Sequence, residues 1–242
     1  MQRNIKLTIE YDGTNFLGWQ IQKKGRTIQG ELQKALEKLL KEKINLIGAG
    51  RTDAGVHALG QVANFKSDNK LGVGQILKAL NNLLPKDIVI KNTQEMALDF
   101  NARFKAKSRV YRYKIFLGKT AILRKLVWEV FQPLDIKKMK QGLKIIKGYH
   151  KFSHFGKKNE DRHDYRCEIL KTKCEVKRNE VSFEIEANRF LRGMVRNIVG
   201  TLVEIGRGNL GINEFAKMLN NQSRKAVKKA PAGGLYLVKV KY

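Results

Sequence analysis

Cysteine is scarce in this 242-residue chain: Cys167 and Cys174 are the whole supply, and the six residues between them fit neither a CxxC redox pair nor a zinc knuckle. Both are expected to be reduced and structural. Long apolar runs are missing too, and from Ile5 onward the N-terminal stretch alternates polar with apolar, unlike a signal peptide. The chain is therefore expected to be soluble and cytosolic, with no membrane partner. Acidic side chains are few, 22 against 49 Lys plus Arg, which leaves a formal net charge of +27. An excess of that size says little about fold and much about partners, with nucleic acid the first candidate and an anionic surface the second. No amphipathic anchor supports the second. His150-x-x-x-His154, with His163 and Cys167 beyond, is the one metal pattern; Gly148 and the aromatic residues from Tyr149 to Phe155 argue against the helix it needs, so no metal is expected.

The length suffices for a real hydrophobic core without metals or disulfides. Ile5, Leu7, Ile9 and Tyr11 have the period of a half-buried strand ended by Asp12-Gly13. Thr27 caps a helix whose face is Ile28, Leu32, Ala35, Leu36 and Leu39. A short strand at 44–47, a returning strand at 61–66, a helix from about Val73 to Leu84 stopped by Pro85, and a strand from Ile88 complete the order β-α-β-β-α-β. The second half repeats that order: a strand at 109–117, a helix marked by Ile136, Met139, Leu143 and Ile146, strands at 167–176 and 181–187, a long helix at 190–205, a shorter one near 213–219, and a closing strand at 235–241. Each half has the element order of a split βαβ unit, so the expected class is α+β, two ferredoxin-like units with their sheets joined into one mixed sheet. The basic bridge at 103–107 marks the boundary, giving units 1–105 and 106–242.

Between the second and third strands lies Gly48-Ala49-Gly50-Arg51-Thr52-Asp53-Ala54-Gly55-Val56-His57-Ala58-Leu59-Gly60-Gln61-Val62. Small residues surround one carboxylate, Asp53, which suits a backbone that turns sharply and lets something bulky approach. A plain turn whose Asp bonds its own backbone is the alternative. Nucleotide-binding loops are excluded: in G-x-G-x-x-G spacing Asp53 takes the place of the last glycine, and no Gly-Lys-Ser/Thr follows.

The segment 51–58 followed by Gly60-Gln61-Val62 resembles the active-site segment of the tRNA pseudouridine synthase A family. The resemblance extends along nearly the whole chain, through Glu10-Tyr11-Asp12-Gly13-Thr14 with Gly18-Trp19-Gln20, Phe100-Asn101-Ala102-Arg103-Phe104, Arg112-Tyr113, Ala187-Asn188-Arg189-Phe190-Leu191, Met194-Val195-Arg196-Asn197-Ile198-Val199-Gly200 and Gly234-Leu235-Tyr236-Leu237. It departs from the family's pattern in the polar, charged segment from Gly156 to Arg166. The resemblance implies the pseudouridine synthase fold, a homodimer, and isomerisation of uridine to pseudouridine in the anticodon stem-loop of tRNA, at its positions 38 to 40.

That reaction moves no electrons or phosphates. It needs a carboxylate, a hold on the freed base and a route for the C5 proton, and it needs no cofactor. Asp53, ionised, serves as nucleophile or base, and Arg51 two residues away favours the charged form if the loop brings them together. The target base must leave its stack, and the resemblance gives Arg51 the part of filling the vacated space. Tyr111 and Tyr113 share a strand face. By resemblance Tyr111 stacks on the flipped uracil and helps take its proton, whereas Tyr113 packs. Arg189, Arg192 and Arg196 recur at spacings of three and four, a stripe on the long helix that an RNA phosphate or the active-site carboxylate would neutralise. The resemblance points to Arg196 as the one facing Asp53, and His57 stands with the substrate-binding residues. A non-catalytic RNA-binding protein with a structural Asp53 accounts for the charge and the paired units equally well.

Overall fold

The first strand, β1 (Arg3–Tyr11), buries Ile5, Leu7, Ile9 and Tyr11 while Lys6, Thr8 and Glu10 between them stay partly exposed. In the computed structural model, which describes residues 1–156 and 164–242, the chain divides into two units, Met1–Lys107 with Tyr236–Tyr242, and Ser108–Leu235.

In the first unit β1 is followed by α1 (Ile28–Leu40), β2 (Ile47–Gly48), β3 (His57–Ser67), α2 (Val73–Leu83) and β4 (Ile88–Met96). Thr27 caps α1 by accepting the Gly30 amide at 3.3 Å, and α2 ends at Leu84, whose extended backbone leads into Pro85. The strands run β4-β1-β3-β2 with every neighbour antiparallel, the split βαβ pattern that the element order implied. The last strand, β10 (Leu235–Lys241), lies parallel to β3, pairing Tyr236 with His57 and Leu237 with Ala58. One edge of β3 is therefore shared, its start with β10 and its later part, Ala63 and Asn64, with β2. Ile28, Leu32 and Leu36 of α1 and Ile76 and Leu80 of α2 are fully buried, as are Ile5, Leu7 and Ile9 of β1. β2 is two residues long, not the four expected; Ile44 and Leu46 before it are buried without joining the ladder.

The second unit contains β5 (Ser108–Leu117), β6 (Trp128–Val130), α3 (Ile136–Ile145), β7 (Gly148–Lys151), β8 (Arg166–Lys177), β9 (Glu180–Ala187), α4 (Met194–Gly206) and α5 (Ile212–Leu219). Its strands run β5-β9-β8-β7, all antiparallel, with β6 parallel to β5. Val181, Phe183, Ile185 and Ala187 on one face of β9 are buried with Met139 and Leu143 of α3, Met194, Ile198 and Leu202 of α4, and Phe215 of α5. Two glycines allow close approach to α4: a Cβ on Gly142 of α3 would stand 2.8 Å from a Leu202 methyl, and one on Gly200 would stand 1.8 Å from the carbonyl oxygen of Lys228, in the irregular segment that lies against the helix. β6 and β7 were not expected from the sequence. No helix among the described residues is long and apolar enough to cross a membrane.

Candidate active site

The Asp53 loop leaves β2 and enters β3 at His57. Its first part is fastened to the sheet, Ala49 donating to the Val62 carbonyl at 2.7 Å and the Gln61 carboxamide donating to the Gly50 carbonyl at 3.0 Å. Thr52 is held from two sides, its carbonyl accepting the Trp19 amide at 3.1 Å and its hydroxyl meeting the buried Tyr11 phenol at 2.8 Å. Asp53 itself opens a four-residue turn closed by Val56 N–H on the Asp53 carbonyl at 3.2 Å, with Gly55 at φ +75° in the third position, where L side chains are strained. Asp53 is half-buried and Arg51 is exposed.

The segment 13–19 lies directly against this loop. A Cβ on Gly18 (φ +99°) would stand 2.6 Å from the Thr52 carbonyl, and one on Gly13 would stand 2.0 Å from the Val56 carbonyl. The Gly13-Thr14 and Gly18-Trp19 pieces of the sequence pattern therefore serve the Asp53 loop by close backbone approach. His57, expected beside the substrate, is 2 % exposed, its ring stacked on Tyr236 at 4.8 Å. Its Nδ1 stands 3.1 Å from the Gly13 amide and 3.1 Å from an Asp12 carboxylate oxygen. Nδ1 can accept the Gly13 N–H or, when protonated, donate to Asp12, but not both at once. Partial burial works against the charged form of Asp12, but the Thr14 hydroxyl and amide, both donating to it, hold its carboxyl below the ordinary range. His57 thus reaches the loop through backbone and has no open face for a ligand.

The remaining candidates belong to the second unit. Tyr111 stands on β5 opposite Ile185 of β9, half-buried, its ring edge-to-face with Phe190 at 5.0 Å. Tyr113 is fully buried and donates to the Pro231 carbonyl at 2.8 Å, and burial pushes its phenol far above the usual value. The three arginines do not form one helical stripe. Gly193, at φ +76°, begins α4, so only Arg196 lies on the helix, and Arg189 and Arg192 occupy the turn before it. Arg189 pairs with the Asp164 carboxylate at 3.5 Å and donates to the Asp164 carbonyl. Arg196 donates to the Ala230 carbonyl at 2.8 Å while the Ala230 amide donates back to the Arg196 carbonyl at 3.1 Å. Arg192 is exposed. His150 and His154 sit on β7 and in the 3-10 turn Phe152–His154, not on one helical face. His163 and residues 157–163 of the divergent segment lie outside the described residues. Among the described residues, no group of three or more His, Cys, Asp or Glu is placed to hold a metal ion.

Sequence reasoning missed Tyr11, Thr52 and Trp19 as supports of the loop and Phe190 as the neighbour of Tyr111. Their one signal was membership of the segments through which the chain resembles the family. A family profile described as tRNA pseudouridine synthase matches residues 7–105 and 143–242. The chain belongs to that family. Curated relatives span it end to end: tRNA pseudouridine synthase A of Acetivibrio thermocellus is 44% identical over 99% of this chain and 100% of its own, and that of Ruminiclostridium cellulolyticum is 45% identical over the same shares. The protein of that name from Thermosipho melanesiensis is 44% identical over 98% of this chain and 99% of its own. The first family stretch contains the whole Asp53 loop with its supports and the second contains Arg189, Arg192 and Arg196, whereas Tyr111 falls between the two.

Proposed function

We propose that this member of the family isomerises uridine to pseudouridine in the anticodon stem and loop of tRNA, with Asp53 as the essential carboxylate. The observation that carries the reading is the Asp53 turn, a half-buried carboxylate on a backbone fixed by Tyr11, Trp19 and Gly55, in a chain with full-length relatives named tRNA pseudouridine synthase A. In the reaction the bond from C1′ to N1 breaks, the uracil turns, C1′ joins C5, and the C5 proton leaves. Asp53 acts as nucleophile or base, and Arg51, exposed and planar, takes the place in the stack that the uridine vacates, an exchange offsetting a flipping cost of a few kcal/mol. Tyr111 stacks on the freed base and helps accept its proton. Arg196, Arg189 and Arg192 contribute positive charge toward the RNA, and His57 keeps the turn in register. We place the protein in the cytoplasm and, from the family resemblance, as a homodimer.

Tritium release from C5-labelled uridine in tRNA tests the reading. Wild-type protein is expected to release it. Asp53→Asn is expected to release none while binding tRNA within a few-fold of wild type, because the amide fits the turn but is neither base nor nucleophile. Turnover by a pure Asp53→Asn preparation would exclude Asp53 as the catalytic carboxylate, and binding without release by the wild type would favour a non-catalytic RNA-binding protein.

A further inference from the structure

The segment after β4 is a surface turn with an unusually deep foundation. Asn4, wholly buried on β1, donates through its carboxamide to the carbonyls of Ala97 and Phe100, both at 2.9 Å. Asn64 on β3, 2 % exposed, donates to the Asn4 side-chain oxygen at 2.9 Å and accepts the Ala102 amide at 2.8 Å. Tyr242 donates to the Ala102 carbonyl at 2.9 Å and packs on Phe100 at 5.0 Å. At the tip, the Asn101 side-chain oxygen accepts the amides of Arg103 and Phe104 at 3.0 and 3.2 Å, and the Asn101 carbonyl accepts that of Lys105 at 3.0 Å. Buried carboxamides are costly unless bonded, and here they fix the path of an exposed turn.

That turn presents Phe104, a residue 77 % exposed, more than any other aromatic residue among the described residues. The Arg103 guanidinium stands 5.3 Å from the ring centroid, and Arg103, Lys105 and Lys107 are all exposed. An isolated exposed apolar residue needs no explanation. A ring carried on a fixed backbone turn, with a guanidinium 5.3 Å from its centroid and cations on either side in the sequence, Lys105 among them paired with Asp99 at 2.8 Å, has the make-up of a stacking platform for a nucleobase beside its phosphates. A second copy of this chain fits worse, because the cations around Phe104 would face like charge. We infer that Phe104, backed by Arg103, stacks an unpaired base of the substrate RNA, a contact separate from the Asp53 turn; this rests on the tRNA reading above.

The test compares Phe104→Ala, Phe104→Leu and Phe104→Trp with the wild type, using an unmodified tRNA transcript in fluorescence anisotropy at several salt concentrations. Loss of one stacked base is expected to weaken binding by about 5- to 100-fold in the Ala and Leu variants, with Trp restoring it. The slope of log affinity on log salt should stay as in the wild type, since no phosphate contact is lost. Unchanged affinity in Phe104→Ala, or rescue by Leu as complete as by Trp, overturns the stacking platform. A changed sedimentation coefficient in Phe104→Ala overturns it in favour of an interface between copies. Failure of the wild type itself to bind the transcript would instead refute the tRNA reading.

Discussion

At Tyr111 a single oxygen atom separates the two tasks proposed for it, stacking and proton removal. Tyr111→Phe keeps the ring and its edge-to-face contact with Phe190, so binding of tRNA should hold while turnover falls by about 10²-fold or more, as expected when a general base is lost. Single-turnover rates measured beside binding isotherms check it, and wild-type rates in the variant would show that the hydroxyl is dispensable. Residues of this kind were readable from the sequence to unequal degrees. Asp53 draws attention in the sequence because a lone carboxylate among glycines and alanines is neither core nor ordinary surface, and the structure shows it half-buried in a fixed turn; its catalytic part is the one proposed above. His57 is harder to read, since an imidazole beside a candidate acid looks the same in sequence whether it meets a ligand or, as the structure has it, lies buried against a backbone amide and a tyrosine ring.

Among the elements, periodicity located the five α-helices of the described residues and the longer strands because burial on one face imposes a rhythm on the sequence. β6 and β7, with three and four residues, are too short to show one. The arginine stripe failed for a different reason: spacing presumes a continuous helix, and the left-handed φ of Gly193 interrupts it. Nor does spacing show that the segment 13–19 and the Asp53 loop approach within contact distance. Two glycines turn these contacts into a stability prediction. Gly200→Ala pushes a methyl into the Lys228 carbonyl, which is backbone that cannot swing aside, and displaces Ala230 from Arg196, so thermal unfolding should show a loss of roughly 1–3 kcal/mol. Gly74→Ala in α2 meets nothing within 4 Å and should raise the melting temperature, by about 1 kcal/mol of helix propensity. Equal effects from the two substitutions would mean that the close approach of Lys228 to Gly200 imposes no constraint.

For the whole molecule, the net charge of +27 predicts that log affinity for tRNA falls linearly with log salt, by roughly 0.7 to 0.9 per phosphate neutralised. Removing one phosphate-contacting lysine should make the slope shallower by about one unit. Arg51→Ala should leave the slope nearly unchanged and depress the single-turnover rate, because the part proposed for it is to hold a base out of the stack. A variant of Arg51 that behaved like the lysine variant would make that arginine one more phosphate contact. The shared edge of β3 also bears on how the protein is made. The strand that completes the first unit at His57 is encoded after every residue of the second unit, so on the ribosome the earlier unit is the one that waits. Until Tyr236 emerges, β3 carries an open edge beside the Asp53 turn and His57 lacks its stacking partner, exposing a strand that other chains can pair with. The second unit thus lies, in the order of synthesis, between the Asp53 loop and the strand that finishes its support.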